Sequence, residues 1–194
     1  MPPLDQTRDP GRVADIIASY LALPIGDKQS LLATVDPVAR LTRVEALMDL
    51  SALSVSPTLE ATKRRALDSA NQRKHEYATL EHLLLALIDD ADAVTVLQAR
   101  KADLRALKAS LLNYLDNELQ KLVIENGADA KPTPAFERVS HRAAHHAQRS
   151  DQFVVTGVNM LLANFHETRS PAVRFLSEQG LSPERMSDLI GKGI

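Results

Sequence analysis

His141 and His145 stand four residues apart, and His146 follows directly. On a helix, i, i+4 spacing puts two imidazoles on one face, an arrangement used for zinc. Catalytic zinc also needs a base and an enclosed cleft, and the chain has no His-Glu-x-x-His. Glu81-His82 offers an acid beside a base, but no set of nucleophile, base and orienting group accompanies it. His82 is instead expected to hydrogen-bond within a repeat interface, as Asn159 would at the matching position. The absence of Cys removes thiolate metal sites, Cys nucleophiles and disulfides together. A P-loop ends in Gly-Lys-Ser/Thr between a strand and a helix. Only Gly191-Lys192-Gly193 comes near it. Neither an enzyme nor a cofactor is expected.

A second constellation is electrostatic. Arg138, His141, Arg142, His145 and Arg149 fall at i, i+3, i+4, i+7 and i+11, beside a separate apolar stripe of Phe136, Val139, Ala143 and Ala147. The basic stripe reads either as a solvated face or as a docking surface for an acidic partner, for which arginine's planar fork suits carboxylates. Lys63, Arg64, Arg65, Arg73 and Lys74 form another basic set. They lack the interleaved aromatics on which bases stack, so a solvated helix face is expected there. Formal net charge is −2, which gives no bulk drive toward nucleic acid. No apolar run reaches the roughly 18 residues of a membrane span, and no leader pattern opens the chain. With no Cys, a reducing cytoplasm is the expected setting.

The elements that must position these groups are helices. Hydrophobic residues make up 44% of 194 residues while aromatics make up 4% and Trp is absent, so the core must be Leu, Ala, Val and Ile. Capping residues precede Pro at Asp9-Pro10, Asp36-Pro37, Thr133-Pro134, Ser170-Pro171 and Ser182-Pro183. The cap oxygen accepts an early N–H, and Pro at the first helical position forfeits nothing. Thr79, Asp103 and Thr156 read as further caps. No alternating strand pattern stands out, and the fold class is all-α.

An internal repeat dictates the architecture. Thr79-Leu80-Glu81-His82-Leu83-Leu84-Leu85-Ala86-Leu87 is echoed by Thr156-Gly157-Val158-Asn159-Met160-Leu161-Leu162-Ala163-Asn164, a constant offset of 77 positions (79 to 156). The same offset carries Leu59, Thr62, Ala66 and Ala70 onto Phe136, Val139, Ala143 and Ala147. Beyond a short turn the offset becomes 79 (93 to 172), matching Ala93, Val94 and Leu97 to Ala172, Val173 and Leu176. Each copy is expected to hold a first helix, an apolar second helix and two shorter ones, packed about a pseudo-twofold axis around a shared core. The expected division is residues 1–50 as an N-terminal helical module, 51–57 as linker and 58–194 as the double repeat (58–120 and 134–194), joined by a loop over 124–132. Within 1–50, Val13, Ile16, Ile17, Tyr20 and Leu21, then Leu31, Leu32 and Val35, then Val38, Leu41, Val44, Leu47 and Met48 mark three helices.

His75-Glu76-Tyr77-Ala78 running into Thr79–Leu87, with Pro132–Val139 and Val155–Ala163, resembles the Clp N-terminal domain, the double-repeat module of Clp unfoldases, most nearly the ClpA type. Val13–Leu21, Asp27–Leu32 and Arg40-Leu41 resemble the helical C-terminal part of the Lon protease N-domain, without the β-rich half that precedes it there. The resemblance implies a non-catalytic accessory or adaptor domain of bacterial AAA+ proteolysis. Its implied partners are a Clp-type unfoldase, its small adaptor, or protein substrates. It places Glu76, Glu81, Thr133, Arg138 and Arg142 at adaptor-contact positions. It also aligns His75, Asp116 and His146 with a surface region where family members bind metal, and no functional metal is expected from that. Alternative readings are a decoy that titrates an adaptor, a fragment of a larger unfoldase, or a His-cluster metal enzyme.

Overall fold

A computed structural model describes residues 9–20, 25–51, 53–125, 128–150 and 152–185. The chain divides into two compact units, Met1–Leu53 and Ser54–Ile194.

In the first unit, α1 spans Pro10–Tyr20, α2 Ile25–Ala33 and α3 Pro37–Ser51. Asp9 Oδ1 accepts the Gly11 N–H at 2.9 Å, and Asp36 Oδ1 accepts the Ala39 N–H at 2.8 Å. Ala14, Leu31, Val44 and Leu47 form its core, with Ile17, Ala18 and Leu41 against them. Arg40 pairs with Asp15 at 2.9 Å and ties α3 to α1. The expected apolar stripes are only half used. Leu32, Val35 and Val38 are 76%, 84% and 63% exposed, because a unit this small has too little interior to take both flanks of a short helix. Leu21 lies outside the described residues.

The second unit begins earlier than the sequence implies. Ser54–Val55 forms a strand, β1, and Ser56 Oγ caps α4 (Pro57–Gln72) through the Leu59 N–H. So 54–56, read as linker, are structured. Then come β2 (Tyr77–Ala78), α5 (Leu80–Leu87), α6 (Ala91–Ala99), α7 (Leu104–Asn117) and a 3₁₀ turn at Gln120–Leu122. The second copy runs β3 (Lys131–Pro132), α8 (Pro134–Arg149), β4 (Val154–Val155), α9 (Gly157–Asn164) and α10 (Pro171–Glu178). The expectation of two short helices closing each copy needs amending: α7 has 14 residues, against 8 in α5. In the second copy, Ser182 Oγ caps the chain at Arg185 N, and residues 186–194 lie outside the described residues.

The repeats exchange strands. β1 pairs in parallel with β4 (Ser54 with Val154), and β2 pairs in parallel with β3 (Tyr77 with Lys131). Moving each first-copy residue by 77 positions turns one pairing into the other, register included, so the pairing has pseudo-twofold symmetry. Two-residue strands are too short for an alternating pattern, and they form only because the other copy supplies the partner. All eight stripe residues, Leu59, Thr62, Ala66, Ala70, Phe136, Val139, Ala143 and Ala147, are buried. Leu83, Leu84, Leu87 and Leu161 are fully buried at the centre, each stabilising by about 1.5–3 kcal/mol over exposure.

Where the two copies differ in the centre, packing gives the reason. Asp90 is 1% exposed. Its Oδ1 accepts the N–H groups of Asp92 and Ala93 at 3.1 and 3.0 Å, and its Oδ2 accepts the Thr62 hydroxyl at 2.6 Å. A Cβ on Gly157 would collide with that Oδ1. Hence Gly stands where the first copy has Leu80: α9 starts directly against the buried carboxylate.

Candidate functional site

Thr133 begins the basic helix. Its hydroxyl accepts the Phe136 N–H at 3.3 Å, and its own N–H donates to the Ala78 carbonyl at 3.0 Å. Glu76 lies at the same junction, exposed, with its carbonyl accepting the Lys131 N–H at 3.0 Å. The Glu76 carboxylate also takes a hydrogen bond from Tyr77, whose phenol pKa it raises. Glu76 and Thr133 thus share one surface, built by the β2–β3 pairing.

Arg138 and Arg142 stand one and two turns further along α8. Arg138 donates through Nε and one terminal nitrogen to the two oxygens of Glu167, at 3.2 and 2.7 Å. Arg142 donates to Glu167 Oε1 at 2.6 Å. These hydrogen bonds hold the Glu167 carboxyl down at about 2. The fork-to-carboxylate chemistry expected of a partner is therefore made internally. Glu167, in the turn before α10, was not legible in the sequence: no helical spacing links it to the stripe.

The rest of the stripe is arranged differently. Arg142, His145, His146, Arg149, Ser150 and His166 line a pocket of about 440 Å³ between the end of α8 and the α9–α10 turn. Asn159 Nδ2 reaches His146 Nδ1 at 3.2 Å. An amide nitrogen can only donate, so His146 carries its proton on Nε2. Burial, then Arg149 and His166, push the His146 pKa down. His141 is exposed.

Two other expectations are corrected. Glu81 is not a surface contact: it is 5% exposed, and its Oε1 accepts from the Ser170 hydroxyl at 2.7 Å and the Ala172 N–H at 3.0 Å. Its carboxylate caps α10, where a negative charge is favoured by the helix dipole. His82 bonds inside its own copy rather than across the repeat interface. Its Nδ1 accepts the Thr79 N–H at 3.1 Å, so its Nε2–H donates to His75 Nδ1, also 3.1 Å away. Asn159 reproduces this polarity: Oδ1 accepts the Thr156 N–H at 2.8 Å, and Nδ2 donates to Gln152 at 2.9 Å. Burial, then the neighbouring His75 and Arg73, lower the His82 pKa to about 3.

The metal candidates do not converge. His75 is 2% exposed and bonded to His82, Asp116 accepts from Arg73 at 2.7 Å, and His146 lines the pocket on the second copy. Among the described residues, no three His, Cys, Asp or Glu side chains are grouped to hold a metal ion. In the other basic set, Arg65 donates to Thr62 and to the carbonyls of Ala86 and Asp89, and Arg73 is held by Asp116. Both serve the fold.

With this geometry in view, the relatives are informative. The family model of the Clp repeat N-terminal domain matches residues 54–179, and that of the Lon protease substrate-binding domain matches residues 1–49. A ClpA homolog protein of Fuscovulum blasticum is 47% identical over 142 residues, which is 73% of this chain and 18% of that protein. The chain thus spans under a fifth of this curated relative's length. Among solved structures, the N-terminal domain of the ClpV1 ATPase of E. coli superposes with a TM-score of 0.60 at 22% identity, covering 75% of this chain and 90% of that one. A ClpV N-domain in complex with a VipB peptide gives 0.55 at 18%, covering 73% and 91%. The exchanged strands, the buried stripes of both copies and the family match over most of the chain agree: the protein belongs to the Clp repeat N-terminal domain family.

Proposed function

We propose that this chain is a non-catalytic docking module of bacterial AAA+ proteolysis. It binds an unfoldase adaptor or protein substrates and turns nothing over itself. The observation that carries this reading is the 47% identity with a ClpA homolog over 142 residues. A ClpV N-domain holding a VipB peptide supports protein binding as the mode of action. The contact surface is the β2–β3 junction and the adjoining half of α8, with Glu76, Thr133, Arg138 and Arg142. Glu81 acts indirectly, by holding α10. Residues 1–50 supply a second, Lon-like module that tethers the repeat domain to another partner. Among the described residues no helix is long and apolar enough to cross a membrane, and a reducing cytoplasm suits the Cys-free sequence.

Biolayer interferometry on the immobilised full chain tests the proposal, with a purified ClpA-type unfoldase and its small adaptor as analytes. Saturable binding is expected for at least one of them, weakened tenfold or more by Arg138→Glu with Arg142→Glu, and the chain alone should consume no ATP. Loss of all binding by the unmodified chain would overturn the proposal. The sign of regulation is read by adding the chain to a degradation assay: slowing marks a decoy, acceleration an adaptor.

A further inference from the structure

We propose that the pocket formed by Arg142, His145, His146, Arg149 and His166 receives an acidic peptide segment of a protein partner. This rests on the docking reading and moves its electrostatic centre. The sequence presents one basic stripe along α8, but the fold divides it. Glu167 neutralises the half bearing Arg138 and Arg142. Among the described residues no acidic side chain lines the pocket itself. Of its lining residues, Arg142 is held by Glu167 from outside, while His145, His146, Arg149 and His166 converge beyond that pair.

The pocket has donors ready for an anion. His146 keeps Nε2–H because Asn159 occupies its Nδ1, so it can donate while neutral. Arg149 contributes a permanent charge and a planar fork. His145 and His166 are exposed at the rim. A structural role accounts for part of this, since cations in the last turn of a helix are favoured by its dipole. That role covers His146 and Arg149 in α8. It does not explain why His166, from a different segment, is brought to the same cavity. Burial first, and then Arg149 and His166, disfavour a charged His146. A bound carboxylate would offset the part that comes from those two neighbours.

The other repeat shows that the fold does not require this chemistry. At the offset of 77, His145, His146, Arg149 and His166 correspond to Asp68, Ser69, Gln72 and Asp89. The same backbone positions therefore carry two acids in one copy and only basic or neutral groups in the other. The occupant is a carboxylate chain because the neighbouring arginines already show what α8 accepts: a carboxylate held by two oxygens.

Fluorescence anisotropy with fluorescein-labelled octa-glutamate, against octa-glutamine, tests the pocket on the full chain. Octa-glutamate should bind saturably and octa-glutamine should not. Replacing His145→Asp with His166→Asp, the residues of the first repeat, should weaken binding at least tenfold, and Arg149→Gln severalfold. The thermal melt should fall only slightly, by the small helix-dipole contribution of exposed groups near the end of α8, with cooperative unfolding retained. No octa-glutamate binding up to about 1 mM, equal binding of octa-glutamine, or unchanged affinity in the double variant would each overturn the proposal. Adaptor capture is measured on the same proteins. If adaptor binds but octa-glutamate does not, the pocket fails and the docking reading stands. If octa-glutamate binds in the pocket and neither adaptor nor unfoldase does, the docking reading fails alone.

Discussion

Two side chains decide more than their neighbours in sequence suggest. Glu167 is shared by Arg138 and Arg142, so any acidic partner must compete with it. Glu167→Gln should free both arginines and raise adaptor affinity at least threefold by interferometry; a fall would mean that Glu167 orients them for the partner. The stability cost should be small, because Arg138 is 53% exposed and solvent screens the pair. The pH sign follows from the lowered carboxyl pKa: the contribution is present above about 4.5 and is lost as pH falls toward 2. His82 behaves in the same direction in a higher window. It must be neutral to accept from Thr79 and donate to His75. Its stabilisation is full above pH 6.5 and is lost as pH falls toward 3. Urea midpoints should show the unmodified chain losing about 2–3 kcal/mol between pH 7 and 4.5 from this pair. The double variant His75→Gln with His82→Asn, which copies Gln152 and Asn159, should lose much less.

At the scale of elements, starts and faces were largely written in the sequence. The capped starts of α1, α3, α7, α8 and α10 and the buried stripes of α4 and α8 follow from local chemistry, with side-chain oxygens meeting early N–H groups and apolar residues recurring at helical period. The placing of one helix end against another element was not legible. Gly157 reads as an ordinary helix start, yet the space where its Cβ would be belongs to Asp90. Gly157→Ala should therefore destabilise the protein by about 2–4 kcal/mol, seen as a clear drop in melting temperature. An exposed glycine at a helix start would tolerate the same change. The exposure of Leu32, Val35 and Val38 was equally hidden, since a 3.6-residue pattern reports two candidate flanks and only packing chooses between them.

For the whole molecule, the exchange of strands makes the two copies interdependent. β2 has no partner without β3, nor β1 without β4, and α5 and α9 supply each other's core. A polypeptide covering one copy alone, residues 54–125, should lack cooperative unfolding and bind a dye for exposed apolar surface, whereas residues 54–194 should melt in one transition. Calorimetry on both checks this; a sharp melt for the single copy would show that each repeat closes its own core.

The helices, the duplication and the basic character of α8 were legible along the chain, because caps, periodicity and repeats are local or translational signals, and the motif residues of both copies carried the resemblance to the family. Which charges remain available was settled by packing in three dimensions. Glu167 and Glu81 each come from outside the segment they serve, and nothing in spacing along the chain records that approach. Burial and pairing depend on distance in space, so the fold turned one basic stripe into a neutralised half and a pocket.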